Sequence, residues 1–206
     1  MKNNKIYSTL IVAMLLLAII LTLTACNAKK TNMNTTNNNT TSEISTTSEI
    51  STTASSTTGT LIKSSDGKMS LTLQAGWEKN MTLWPTAQIG ASKSNLPNVI
   101  VIRKPKTNFA AGYSTDNFLT GYQPVFSALL NSPVWGQRSS ITINGLSGIT
   151  TKLTGKSKAR NEFLVYWISV VSDKSNFYEI VGWTLESSEG SDSALVQGIM
   201  NSFMVY

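Results

Sequence analysis

The chemistry open to this chain is bounded first by what it lacks. Its 206 residues include one cysteine, Cys26, and no histidine. Without an imidazole base, neither a Ser-His-Asp nor a Cys-His machine can be assembled. One thiol cannot form an intramolecular disulfide, nor with no histidine a Cys/His zinc site. Carboxylate and lysine chemistry survive this filter. Glu162 and Glu179 are the pair to weigh, because they could face each other across a late hairpin. Glu179 sits among apolar neighbours and is expected to titrate abnormally. A retaining glycosidase would need its carboxyls ~5.5 Å apart in a cleft, and the sequence indicates no cleft. Thr154-Gly155-Lys156-Ser157 imitates a phosphate loop, but Thr150 stands where the motif needs glycine, and the segment falls in an expected hairpin loop. No catalytic residue, metal or cofactor is therefore assigned. The chain reads as a binder rather than an enzyme, with a carboxylate hydrolase as the remote alternative.

Binding groups are easier to find. Lys152, Lys156, Lys158 and Arg160 lie close together around that loop, and Arg103, Lys104 and Lys106 follow another segment. From residue 60 onward there are 13 Lys and Arg against 9 Asp and Glu. Such clusters suit anionic lipid, an acidic envelope polymer or an acidic protein, although many are only solvated loop tips. No nucleic-acid motif accompanies them. Trp77, Trp167 and Trp183 occupy patterned segments and suit a core. Trp84, before Pro85, and Trp135 fall in expected loops, where an indole could grip a small ligand such as a sugar or close the edge of the core. Lys156, Lys158, Arg160, Trp84 and Trp135 are the candidate partner-binding residues.

Cys26 carries a chemistry of its own. Lys2 and Lys5 precede the uncharged run Leu10–Leu23, ~21 Å long as a helix and short of a ~30 Å hydrocarbon core. Leu23-Thr24-Ala25-Cys26 follows and resembles the bacterial lipobox. Residues 1–25 are thus expected to be a signal peptide, removed so that Cys26 takes diacylglycerol on the outer face of a membrane. An ordinary membrane anchor with an incidental cysteine is the competing reading. Residues 27–59 are rich in Ser, Thr and Asn, and repeat Thr-Thr-Ser-Glu-Ile-Ser at Thr40–Ser45 and Thr46–Ser51. They are expected to be a disordered tether. As a flexible coil of about 33 residues it would reach ~32 Å, holding the domain clear of the headgroups.

The remaining 60–206 should fold as one domain. Leu61–Lys63 and Met69–Leu73 read as strands around Ser65-Asp66-Gly67. Ala87–Lys93 and Asn98–Lys104 follow, the second apolar on both faces and so internal. Ser139–Ile143 and Leu146–Leu153 flank the hairpin signal Asn144-Gly145. Glu162–Ser172 and Asn176–Leu185 form the longest hairpin. Its first strand points Phe163, Val165, Trp167 and Val171 one way and Leu164, Tyr166, Ile168 and Val170 the other. Helical spacing over Asp116–Asn131, interrupted by Pro124, and over Ser191–Phe203 supplies covers for two greasy faces. The order predicts an α+β domain with a central antiparallel sheet flanked by helices on both faces.

Ser65-Asp66-Gly67-Lys68-Met69-Ser70-Leu71 leading into Ala75-Gly76-Trp77 resembles the opening of PsbP-like domains, of the photosystem II PsbP and DcrB-like superfamily. Ile143-Asn144-Gly145, Tyr178-Glu179-Ile180, Gly182-Trp183 and a helix closing on Asn201-Ser202-Phe203 extend the resemblance across the domain. It implies an α/β/α sandwich acting as a binding or assembly-assisting module. No functional residue carries over, since the metal-associated positions of the photosynthetic branch involve histidine.

Overall fold

The computed structural model describes residues 59–206. The expected signal peptide, Cys26 and all of the tether but its last residue lie outside the described residues. Every strand pairing is antiparallel. The strands are β1 (Thr60–Lys63), β2 (Met69–Leu73), β3 (Glu78–Lys79), β4 (Ile89–Ser92), β5 (Asn98–Pro105), β6 (Leu130–Trp135), β7 (Ser139–Ile143), β8 (Leu146–Ser157), β9 (Phe163–Ser172), β10 (Asn176–Leu185) and β11 (Met204–Val205). Helix α1 (Thr115–Ala128) precedes β6, and α2 (Glu189–Asn201) precedes β11. The large sheet runs β3-β4-β5-β10-β9-β8-β6, with β7 also on β8, and a small sheet runs β1-β2-β11. Among the described residues, no helix is long and apolar enough to cross a membrane.

Period-2 patterning builds this sheet, because successive side chains leave a strand on opposite sides. Val99, Val101, Val165, Trp167, Val171, Tyr178 and Ile180 join one apolar cluster, which contains Val196, Ile199 and Met200 of α2 and Met69, Leu71 and Leu73 of β2. Their neighbours Ile100, Ile102, Leu164, Tyr166, Ile168, Val170, Phe177 and Val181 join another, with Phe118, Leu119 and Phe126 of α1. The alternation expected of the Glu162–Ser172 strand is therefore present from Leu164 to Val171, while Phe163 at its start joins neither cluster. Each such side chain stabilises by about 1.5–3 kcal/mol when fully buried.

Helix α1 begins on a capping box: Ser114 accepts from the Asn117 amide while the Asn117 side chain accepts from that of Ser114. It remains one helix through Pro124 but ends before the expected Asn131. Leu130 continues the helical spacing, yet its side chain is buried in the second cluster beside Gly155, where an added Cβ would stand 3.1 Å from Leu130 Cβ. Ser132, at φ 51°, and Pro133 follow, and the chain returns as β6 with a register shift between Asn131 and Val134. That bulge and proline blunt the outer edge of the sheet. Strand β8 correspondingly runs past Leu153 to Ser157, so Thr154–Ser157 is paired strand, not the expected loop. The Asn144-Gly145 turn has φ 46° and 82°, as a two-residue hairpin of primed type requires.

Gly182 shows how closely α2 approaches β10: a Cβ there would lie 2.2 Å from Val196 Cγ1 and 2.8 Å from Met200 Sδ. Gly182→Val is expected to overpack this contact and destabilise the domain by about 1–3 kcal/mol. Gly190→Ala, with open space around its Cβ, should be neutral or stabilising. Thermal denaturation of the two variants checks the contrast.

Candidate functional site

The basic residues do not form one loop. Lys152 and Lys156 lie on β8, and Lys158 and Arg160 on the turn after it. Lys152 is ion-paired with Glu189 at the start of α2. Arg160 Nε bonds the Glu162 carboxylate at 3.0 Å. Lys158 Nζ donates to Ala128 O at 2.9 Å, a carbonyl of the last turn of α1, where a cation is favoured. Lys156 alone of the four has no ion pair or hydrogen bond among the described residues; its Nζ stands 5.9 Å from the centre of the Phe163 ring. The other basic cluster is divided too. Arg103 bonds Asp66 at 2.6 Å, and Lys106 lies over Phe177. The Ser64 hydroxyl and Arg103 hold the Asp66 carboxyl well below the usual range.

Trp84 and Trp135 are both half-buried and packed against the second cluster. Trp135 ends a strand rather than occupying a loop. Its indole N–H donates to Ser127 Oγ at 3.1 Å, and its ring meets Phe126 edge-on at 6.4 Å, so it ties β6 to α1. Trp77 and Trp167 are core residues as expected, while half-buried Trp183 stacks on Tyr166.

Glu179 is the exceptional group. It faces the second cluster, opposite Ile102 on β5 and Val170 on β9. It is 1% exposed, and neither carboxyl oxygen has a hydrogen-bond partner among the described residues. Burial pushes its pKa up to about 8, against a lesser pull from Lys104. Above it α1 contributes Phe118 and Tyr122, stacked at 4.6 Å, and Phe118 lies 5.1 Å from Phe177 of β10. Burial first, and the Glu179 charge second, raise the Tyr122 phenol to about 12. The expectation that Glu162 and Glu179 face each other is overturned. Glu162 lies outside β9, about eight residues or roughly 26 Å along the strand from Val170, the partner of Glu179. It bonds Arg160 instead.

What the sheet leaves open lies at its β6–β8–β9 end. Phe163 is 55% and Val134 64% exposed. Phe163 pairs with Lys156, and Lys156 and Thr154 pair with Asn131 and Val134, so these side chains share one face. A shallow, open cleft of about 440 Å³ adjoins it, lined by Glu162, Phe163, Leu185, Glu186 and Ser187. The sequence marks Lys156 but neither Phe163, whose place on an alternating strand suggests core, nor Val134, which falls in an expected loop beside Trp135.

No protein-family model matches the chain, and no curated protein matches it by sequence. Solved structures do match in fold. The cyanobacterial PsbP (CyanoP) of Synechocystis superposes with a TM-score of 0.51 at 13% identity, covering 74% of this chain and 95% of that one. LpqN of Mycobacterium tuberculosis, described as involved in cell envelope biogenesis, gives 0.53 at 12% identity over 71% and 89% of the two chains. A Bacteroides thetaiotaomicron protein gives 0.51 at 9% identity, with 48% of its own length covered. The described domain has a PsbP-like fold.

The buried carboxyl sets a pH dependence. A glutamate is ionised above about 4.5 in the unfolded chain, whereas Glu179 in the folded domain stays protonated up to about 8. Between these values the folded state holds more proton, so stability falls as pH rises, by up to ~1.4 kcal/mol per pH unit. Glu179→Gln should flatten that decline and melt higher than wild type at pH 8. Melting curves from pH 5 to 8 measure it.

Proposed function

We propose that this PsbP-like chain is an exported lipoprotein, acylated at Cys26 and held on the extracytoplasmic face of a membrane, whose domain binds or helps assemble another envelope component. The sheet is read as a sandwich, with α1 over one face and α2 over the other. Both of its faces are packed with apolar side chains, and binding falls to the surface. The observation that carries the reading is the open patch at the β6–β8–β9 end, where Phe163 and Val134 stand out around Lys156. An apolar ring with a cation beside it suits a partner that brings both an apolar and an acidic group. Lys158 and Arg160 are occupied within the domain and contribute shape rather than binding charge. Catalysis has no part in the reading: Glu162 and Glu179 are far apart, and Glu179 is sealed. A small-ligand receptor built on Trp84 and Trp135 has less support, because both indoles pack against the core edge. The fold neighbour described as acting in envelope biogenesis lends the compartment indirect support.

Two measurements test this reading. Mass spectrometry of membrane-extracted chain should find residue 26 at the amino terminus with diacylglycerol on its sulfur; an intact Met1 would contradict it. A photo-crosslinker at position 163 should yield a discrete envelope adduct that Lys156→Glu weakens and Lys174→Glu, on the β9–β10 turn, leaves intact.

A further inference from the structure

The outer face of the small sheet is a second open surface, unlike the first. Its inner side chains, Ile62, Met69, Leu71, Leu73 and Val205, belong to the first cluster. Residues paired across an antiparallel ladder share a face. Leu61 pairs with Thr72 and Lys63 with Ser70, and Met204 pairs with Ser70, which puts Leu61, Lys63 and Met204 together on the outside. Tyr206 completes the set: its hydroxyl lies 3.0 Å from Ser70 Oγ, and Lys63 Nζ stands 4.9 Å from its ring centre. Leu61, Met204 and Tyr206 are 49%, 43% and 60% exposed. Lys79 Nζ reaches the Lys63 carbonyl at the β1 edge, and Lys68 lies exposed on the β1–β2 turn. Of the nearby acids, Asp66 is neutralised by Arg103, leaving exposed Glu78 against three lysines. Two aliphatic side chains, a tyrosine with its polar tip, and lysines that can extend their ammonium groups outward form the composition of a lipid-headgroup contact.

We infer that the β1–β2–β11 face rests on the surface of an anionic bilayer. This deepens the lipoprotein reading and depends on it. The occupant follows from where the chain comes from: the segment leading from Cys26 enters the domain at Thr60, the first residue of β1 and the residue just before Leu61. With Cys26 acylated, only about 33 residues would separate the lipid from the domain, and a coil of that length would keep it within ~32 Å of the surface. Effective concentration there is high enough for a patch too weak to bind lipid from solution. The domain thus lies against the membrane rather than being held clear of it. The Phe163 patch, on the β6–β8–β9 end of the other sheet, is left for a partner.

The lone cysteine makes the test clean, because acylation consumes its thiol. Full-length acylated chains carrying Leu61→Cys, Met204→Cys or Gln137→Cys are labelled with an environment-sensitive fluorophore and placed in vesicles of phosphatidylcholine, with or without phosphatidylglycerol. Labels at 61 and 204 should shift to the blue and lose iodide quenching several-fold on the anionic vesicles, while the label at 137 stays unchanged. Changing Lys63, Lys68 and Lys79 to Glu should abolish the shift. Labels at 61 and 204 as quenchable as that at 137 on both vesicle types would overturn the inference while leaving the anchor standing. A chain whose Cys26 itself takes the fluorophore would refute the anchor, and the inference with it.

Discussion

Three neighbouring strands of this domain, β5, β10 and β9, carry apolar side chains on both faces, and water must be kept from both. That two-sided burial is the constraint from which the rest follows. Alternate residues are shared between two clusters, one holding side chains of α1 and the other those of α2. Gly182 is part of the same requirement: any larger residue would meet Val196 and Met200. Trp135 and Lys158 serve it from outside, the first tying β6 to α1 and the second meeting a carbonyl of the last turn of α1.

Glu179 is the exception within that interior. A carboxyl with no partner among the described residues is costly to ionise there and is kept as the neutral acid. It lies beneath aromatic rings, with no opposing carboxylate and no path for a substrate among the described residues. The constraint that builds the fold thus packs both faces of the large sheet with apolar side chains, and the contacts proposed for the domain fall on surfaces outside the two clusters, one on each sheet. Each combines exposed apolar side chains with lysine, but they differ in setting: Phe163 and Val134 border a cleft and a blunted edge, while Leu61, Met204 and Tyr206 lie where the chain enters the domain.

Much of this could be read from the sequence, for reasons that particular residues make plain. Val99–Ile102 and Phe163–Val171 declare internal strands because period-2 alternation with apolar residues on both sides has no other stable home. Asn144-Gly145 declares its hairpin because both positions tolerate positive φ. The abnormal setting of Glu179 is legible from its apolar strand neighbours. The end of α1 was not legible, because Leu129 and Leu130 continue the helical spacing and only pairing with β8 diverts the second into a strand. Strands β3 and β11 are two residues each, too short to pattern. The setting of the basic cluster was not legible, since sequence proximity cannot show that Lys152, Lys158 and Arg160 each have a partner within the domain. The Phe163 patch was hidden for the converse reason: an aromatic on an alternating strand announces core, and only the extent of the covering elements exposes it.

The sealed two-sided core is the claim on which both surfaces depend, and the Glu179 carboxyl reports on it directly. Carbon-13 NMR titration of the side-chain carboxyl in the intact domain should place its midpoint near about 8. A midpoint at the ordinary glutamate value of 4.5 would mean that water reaches this carboxyl, and the face beneath α1 would not be dry.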